Sequence, residues 1–339
     1  MAVFTKPAIT PVQQLHLLKQ RGLTILDESR ALCFLEAVSF FRLTPYMRPF
    51  QHSDDRHQFE AGTKFSQLAR LYDFDRRLRL LAIDAIERTE VAIRAHISNA
   101  LNQKYGSHWY IDSHHFKKIY DHQRLIQGIR DKQQVALDDF NRECLRIDNV
   151  QMTDDAYKRK LKLKRQQESY ARHYAITYHQ PELMPCWAML EELSMDELSH
   201  FFKGLAKDKD KKIIASGFNL SAPLLESWLH TLTVIRNICA HHARLWNREL
   251  GIKPIYPTQK DFFWPTYLEQ DYSHTRVAVV FAILHHMMQR VSPDTCWHER
   301  LFSLFGEFSE IPVGNMGLPK HWKEDHFWQI SAASAPLCT

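Results

Sequence analysis

Residues 66–103 read SQLARLYDFDRRLRLLAIDAIERTEVAIRAHISNALNQ, a stretch without a single glycine or proline. Within it Leu71, Phe74, Leu78, Leu81, Ala85, Thr89, Ala92 and His96 recur every three or four places. That is the 3.6-residue period of a helix that buries one stripe. Strands seldom exceed about ten residues, so the segment predicts one long core helix over 66–103 and, with it, an all-α protein. The composition agrees. Ten glycines in 339 residues are about 3%, against a usual value of about 7%, too few for the tight turns of a sandwich, a barrel or a Rossmann fold. Hydrophobic residues at 45% and charged residues at 24% are globular values and exclude wholesale disorder.

The flanks read the same way. Residues 11–21 predict a helix stopped by Gly22, and Asp27 caps a second helix that ends before Pro45. Residues 121–179 are polar and helix-prone, and 203–212 (KGLAKDKDKK) predict an exposed turn between helices. After Gly251, Pro254, Pro257 and Pro265 frame an irregular aromatic stretch, followed by a helix at about 274–291. The tail HWKEDHFWQI, 321–330, predicts docking onto the core through its aromatic residues. With no repeat and no linker, the expectation is one mostly helical body over 1–339, in which 251–339 form a C-terminal extension packed on the core.

The six cysteines, at 33, 144, 186, 239, 296 and 338, are never closer than 42 residues. Neither a zinc-finger spacing nor a dense disulfide framework results, and free thiols in a reducing cytoplasm are expected. MAVFTKPAITP has no signal-peptide core. The longest apolar run, Val277 to Leu284, is too short to cross a bilayer. A cytoplasmic chain without membrane contact follows as the expectation.

Lys and Arg number 44 and Asp and Glu 39, a formal charge of +5. So mild an excess permits an anionic partner without requiring one. Its densest concentration is YKRKLKLKR, 157–165, which carries Lys158, Arg159, Lys160, Lys162, Lys164 and Arg165 and no acid. A solvated helix face explains the run as well as a footprint for RNA phosphates does. Phosphate-cradling GxxxxGK and GxGxxG loops are missing, as are HExxH and GxSxG. The Gly314–Gly317 pair reads as a turn. The histidine pairs 114/115, 241/242 and 285/286 stand adjacent in sequence, about 100° apart on a helix, which cannot chelate one ion. No metal and no cofactor is expected.

Residues 221–250 read SAPLLESWLHTLTVIRNICAHHARLWNREL. Ser221 suits an N-cap, Pro223 the first turn and Gly251 a C-terminal stop, so a helix is predicted over 221–250. Leu225, Trp228, Leu229, Leu232, Ile235, Cys239 and Ala243 form its apolar stripe. The half after Val234 is crowded with Arg236, Asn237, His241, His242, Arg244, Trp246, Asn247 and Arg248. Asn237 and His241 are about 40° apart around a helix and therefore neighbours, while Arg236 and His241, about 140° apart, flank a face. An arginine for phosphate, a histidine for protons and an asparagine to orient the imidazole form a minimal phosphodiester-cleaving set. Arginine and histidine on a helix that merely pair with acids are the competing explanation.

RNICAHHARLWNR, Arg236 to Arg248, resembles the Arg-Asn-x-x-x-His signature of the HEPN ribonuclease superfamily, and more narrowly its Abi-like (Abi_2; AbiD/AbiF) abortive-infection branch. The resemblance extends to LTILDESRALCFLEAVSFFRLTPYMRPF, to LYDFDRRLRLLAIDAIERTEVAIRAHI, to Pro185-Cys186-Trp187 with Glu191 and Glu192, to Ser227-Trp228-Leu229 and to MGLPKHWKEDHFW. It implies a HEPN-like helical bundle with N- and C-terminal helical extensions, paired about a two-fold axis so that two motifs build one metal-independent ribonuclease site. Arg236, Asn237 and His241 are then the catalytic set. The RNA 2′-OH attacks the adjacent phosphorus, His241 moves a proton, Arg236 steadies the non-bridging oxygens, and 2′,3′-cyclic phosphate and 5′-hydroxyl ends result. DNA, without the 2′-OH, is spared. His242 contacts RNA, backs up His241 or packs internally, and Arg244 and Arg248 stand as phosphate or acid partners. Glu87, Arg88, Glu90 and Arg94 fit an ion-pair network that supports the motif, or an ordinary surface. Control by an antitoxin, a regulatory non-coding RNA or a phage trigger is implied. The alternative is a non-catalytic protein of the same fold that grips a structured partner RNA.

Overall fold

A computed structural model describes residues 7–53, 57–151, 154–258, 262–269 and 275–329. Among them are thirteen α-helices, and pairing between extended segments is limited to isolated bridges such as Thr24–Lys64 and Glu249–Arg276. The fold is all-α. Its axis is α4 (Phe65–Tyr105), 41 residues, roughly 60 Å at 1.5 Å per residue. Leu71, Phe74, Leu78, Leu81, Ala85 and Thr89 are buried along it.

Three helices precede it. In α1 (Pro11–Gln20), Thr10 and Gln13 form a capping box, and the chain turns at Gly22 with φ 89°. Asp27 caps α2 (Glu28–Val38) by accepting from the Arg30 N–H. That helix stops at Ser39, φ 65°, and α3 (Phe40–Met47) restarts at once with Pro45 inside it. The break therefore comes six residues before the proline that the sequence nominates. α1–α3 pack on the first turns of α4 in an apolar cluster of their own, through Leu15, Leu18, Leu35, Leu43 and Leu68.

Next come α5 (His122–Asp148), α6 (Asp155–Gln167) and α7 (Tyr170–Thr177), which pack mainly on one another. Only Ile129 and Gln133 of α5 are buried, and no residue of α6 is. Their polar character becomes an arm rather than a core layer. α8 (Cys186–Glu192), α9 (Met195–Gly204), α10 (Asp208–Ser216) and α11 (Ala222–Ala240) bring the chain back to α4. Between α9 and α10 the turn is only Leu205–Lys207, and Asp210 and Lys211 are buried, so most of 203–212 is helix rather than exposed turn.

α12 (Val277–Val291) buries every residue from Val277 to Met288. A helix apolar on all sides belongs at the centre of a core. The C-terminal part is thus built into the core, where α12 packs along α4, rather than laid against it. α13 (Trp297–Glu307) is tied to α4 by the Trp297 indole on the Leu81 carbonyl, 2.9 Å, and by Arg77 on Glu307. The tail docks as its aromatics predict, with Trp322, Phe327 and Trp328 buried. Gly314–Met316 is a single turn, closed by Gly317 at φ 83°. Cys33, Cys144, Cys186, Cys239 and Cys296 are free thiols, and Cys338 lies outside the described residues.

Candidate active site

The residues of interest gather where α11 ends. Ala240 is its last helical residue, and His241 caps it with an N–H on the Asn237 carbonyl, 3.0 Å. His242 then enters the left-handed region at φ 55°. Its N–H reaches the Cys239 carbonyl at 3.0 Å, and the Ala243 N–H reaches Ile238 at 2.9 Å. These two bonds make a Schellman turn, whose left-handed place is ordinarily a glycine's because a Cβ is strained there. Histidine occupies it here. The helix predicted over 221–250 is therefore ten residues too long, and Gly251 is not its stop.

What diverts the chain is a buried carboxylate on α4. Asp75 accepts from the Leu245 N–H at 3.0 Å, from the Trp246 N–H, and from the Tyr46 hydroxyl at 2.5 Å, and it pairs with Arg79 one turn on. Amides that would continue the α11 ladder are spent on Asp75 instead. From α3, Arg42 donates to the His242 carbonyl at 2.6 Å. Burial pushes the Asp75 carboxyl above the ordinary carboxylate range, opposed by the Arg79 charge and then by the Tyr46 and backbone donors. Burial, then the Asp75 charge, likewise pushes the Tyr46 hydroxyl up. The turn thus hangs on α3 and α4 through one ionic knot.

Arg236, Asn237, His241 and His242 are all exposed. Arg236 Nη1 lies 3.5 Å from Asn237 Oδ1, and the cap keeps His241 in helical register with Asn237, so the two expected neighbours remain so. Cys239 faces the other way, and burial raises its thiol to about 12. It stays protonated and is no nucleophile.

Arg244 and Arg248 depart from the expected helix flank, because no helix continues beneath them. Arg244 donates to the Pro45 carbonyl at 3.5 Å and lies 5.9 Å from the Trp246 ring, and Arg248 donates to the Arg244 carbonyl at 3.3 Å. Both brace the turn.

The proposed supporting network falls elsewhere as well. Arg94 pairs with Glu90 at 2.5 Å and donates to the Leu190 and Leu193 carbonyls at the end of α8. Arg88 joins Asp84 and Ser292, and Glu87 is exposed. None of these partners belongs to 236–248. Support for the motif comes from Tyr46, Asp75 and Arg79, which sequence reasoning missed. The signal was present: an acid and a base four apart inside the apolar stripe of α4, each directly after an apolar stripe residue, Phe74 and Leu78.

Lys158, Arg159, Lys160, Lys162, Lys164 and Arg165 all lie on α6, in the arm. Lys158 and Lys162 bond to Asp148 at 2.8 and 2.7 Å, and Arg165 to Glu168 at 2.8 Å. Arg159, Lys160 and Lys164 point into solvent. Of the other histidine pairs, His285 and His286 are buried on α12, and His114 is exposed beside Asp112 at 2.7 Å. Among the described residues no group of three or more His, Cys, Asp or Glu is placed to hold a metal ion. Nor, among them, is any helix long and apolar enough to cross a membrane.

Fold and site together define a class: an all-α protein built on one long helix, with an Arg-Asn-x-x-x-His motif exposed at the end of a second helix. The Abi-like protein family matches residues 33–247, well over half of the chain, and the chain belongs to that family. The matched region runs from α2 through the turn after α11, so it takes in Tyr46, Asp75 and Arg79 along with the motif. No curated protein and no solved structure matches the chain.

Proposed function

We propose that this Abi-like protein is a metal-independent endoribonuclease of the HEPN type, acting in abortive-infection phage defence or as a toxin. The observation that carries the reading is the joint exposure of Arg236, Asn237 and His241 at the end of α11, where the turn that follows is anchored by Asp75. Exposed groups on a rigid mount are what a site for a long, charged substrate needs. In this reading the RNA 2′-OH attacks the adjacent phosphorus in line. His241 takes or delivers the proton, Arg236 meets the charge on the non-bridging oxygens, and Asn237 holds the imidazole or the substrate. The products carry 2′,3′-cyclic phosphate and 5′-hydroxyl ends. The site of one chain is open on one side, which suits pairing of two copies with their motifs face to face. His242, held left-handed beside His241, belongs to the RNA-contacting surface.

Purified wild type is compared with His241→Ala on a labelled structured RNA in EDTA, after both are confirmed to fold. Cleavage by wild type alone, leaving cyclic-phosphate ends, is expected. Equal cleavage by both would remove His241 from the mechanism. A second reading has its own observation in Arg159, Lys160 and Lys164 on the α6 arm. There the chain is a non-catalytic binder of a structured RNA, and salt-sensitive binding without cleavage by either variant is its signature.

A further inference from the structure

Between α9, α10 and the start of α11 lies a cleft of about 600 Å³. Lys117, Lys203, Lys211 and Lys212 line it against only Asp208 and Glu226. His200 and His230 line it as well. Lys211 is buried, donates to the Lys203 carbonyl at 2.8 Å and pairs with Glu226 at 2.9 Å. Burial lowers its pKa; Glu226 opposes that and the neighbouring Lys117 adds to it. Glu226 is thus taken up by Lys211, and the exposed Lys117, Lys203 and Lys212 leave a positive excess facing solvent.

A second cleft, of about 520 Å³, adjoins the first and shares Lys117, His200 and Lys203 with it. Ile119, Tyr120, Leu125, Ile129 and Leu193 give it an apolar part, and Asp121, Arg124, Asp196 and Glu197 line the rest; of these acids Asp121 accepts from the Arg124 N–H and Glu197 pairs with Lys132. Tyr120 stacks on Phe116 with ring centres 5.0 Å apart and lies flush on Gly204, where a Cβ would come within 2.3 Å of its ring. Charge for phosphate and an apolar slot beside it are the two halves of a nucleotide-sized recognition site.

The basic half connects to the motif along α11. Taking His230 as zero, 100° per residue puts Pro223, Glu226, Asn237 and His241 all within about 40° of it. Val234 shares this face, and none of the six residues is buried. His230 and His241 are about 16 Å apart along the axis, a span of a few nucleotides. We propose that this trough is an accessory subsite for single-stranded RNA, with phosphates against Lys117, Lys203 and Lys212, a base in the slot beside Tyr120, and the strand continuing along the open face of α11 to the motif. The inference rests on the ribonuclease reading for its direction but is tested by binding.

The probe is a fluorescein-labelled single-stranded RNA of roughly a dozen nucleotides, titrated against the full chain carrying His241→Ala. Adding Lys117→Gln, Lys203→Gln and Lys212→Gln is expected to weaken binding about tenfold and to lower the log–log salt slope by about 2. Adding Lys118→Gln, Lys209→Gln and Lys320→Gln, the same charge loss outside the trough, is expected to leave affinity within about twofold. Equal loss in both sets, or none in the first, overturns the subsite. So does AMP binding that disappears in the first set while RNA affinity holds, which would mark a mononucleotide pocket. Cleavage by wild type with undiminished affinity in the first set removes the subsite and keeps the ribonuclease. Weakened binding in the first set with no cleavage by wild type does the reverse.

Discussion

Asp75 is the residue on which most depends, since it holds two backbone amides of the motif turn, a tyrosine hydroxyl and an arginine in one buried place. Asp75→Ala leaves Arg79 buried without its counter-charge and is expected to cost about 3–5 kcal/mol. Tyr46→Phe removes one donor and should cost about 1 kcal/mol. Urea denaturation of both variants measures the difference, and near-equal values would mean that Asp75 is not the centre of the knot. His242 makes the opposite prediction. A non-glycine residue in the left-handed region costs roughly 1–2 kcal/mol, so His242→Gly should raise stability by about 1 kcal/mol. If its imidazole contacts RNA, the same variant cleaves or binds RNA less well. A variant that is more stable and fully active would make the histidine incidental.

At the scale of elements, α12 holds the two histidines that burial lowers furthest. Burial lowers His285 to about 3 and His286 to about 4. The His286 Nε2–H donates to the Phe218 carbonyl at 2.9 Å, and His285 packs on Trp328 at 4.9 Å. Both are neutral in the folded chain, while the unfolded chain protonates them near pH 6.5. Below that pH the unfolded state binds more protons, so stability falls as pH drops from about 6.5 toward 4. Each histidine contributes about 2 kcal/mol of the loss at pH 5. Urea midpoints at pH 7 and pH 5 check this, and His286→Gln should flatten the dependence. A midpoint unchanged between the two pH values would contradict the buried, neutral state. α11 illustrates the other side of element reading: its start and apolar stripe follow from local pattern, but its end does not.

For the whole molecule, the polar arm of α5–α7 and the core around α4 divide the work. Arg159→Gln, Lys160→Gln and Lys164→Gln together touch no core residue, so thermal stability should change by less than about 0.5 kcal/mol. On the RNA-gripping reading of the arm, RNA affinity and its salt slope fall together. Loss of stability without loss of binding would make α6 a structural strut. The pairing of two motifs is tested by sedimentation. A mass of two chains at working concentration is expected, and a monomer that cleaves RNA would end the composite site.

Much was legible because local forces decide it. The uninterrupted stripe of 66–103 could bury its apolar side only as a helix, scarce glycine denied the chain the turns of a sheet protein, and Arg236, Asn237 and His241 kept their helical spacing through the cap. Other features rest on contacts between residues far apart in sequence. Asp75 lies 170 places before the Leu245 amide that it holds, and no period in either segment shows that a carboxylate will intercept the α11 ladder. The same holds for the trough, whose lysines come from a loop, α9 and α10 and meet only once those elements pack. Sequence by itself determined that 66–103 and the start of α11 are helical and which side of each is apolar, since side-chain spacing and hydration act locally. Tertiary structure alone decided where α11 stops, that α12 lies inside the core, and which charges are buried together, because these depend on which surfaces exclude water from each other.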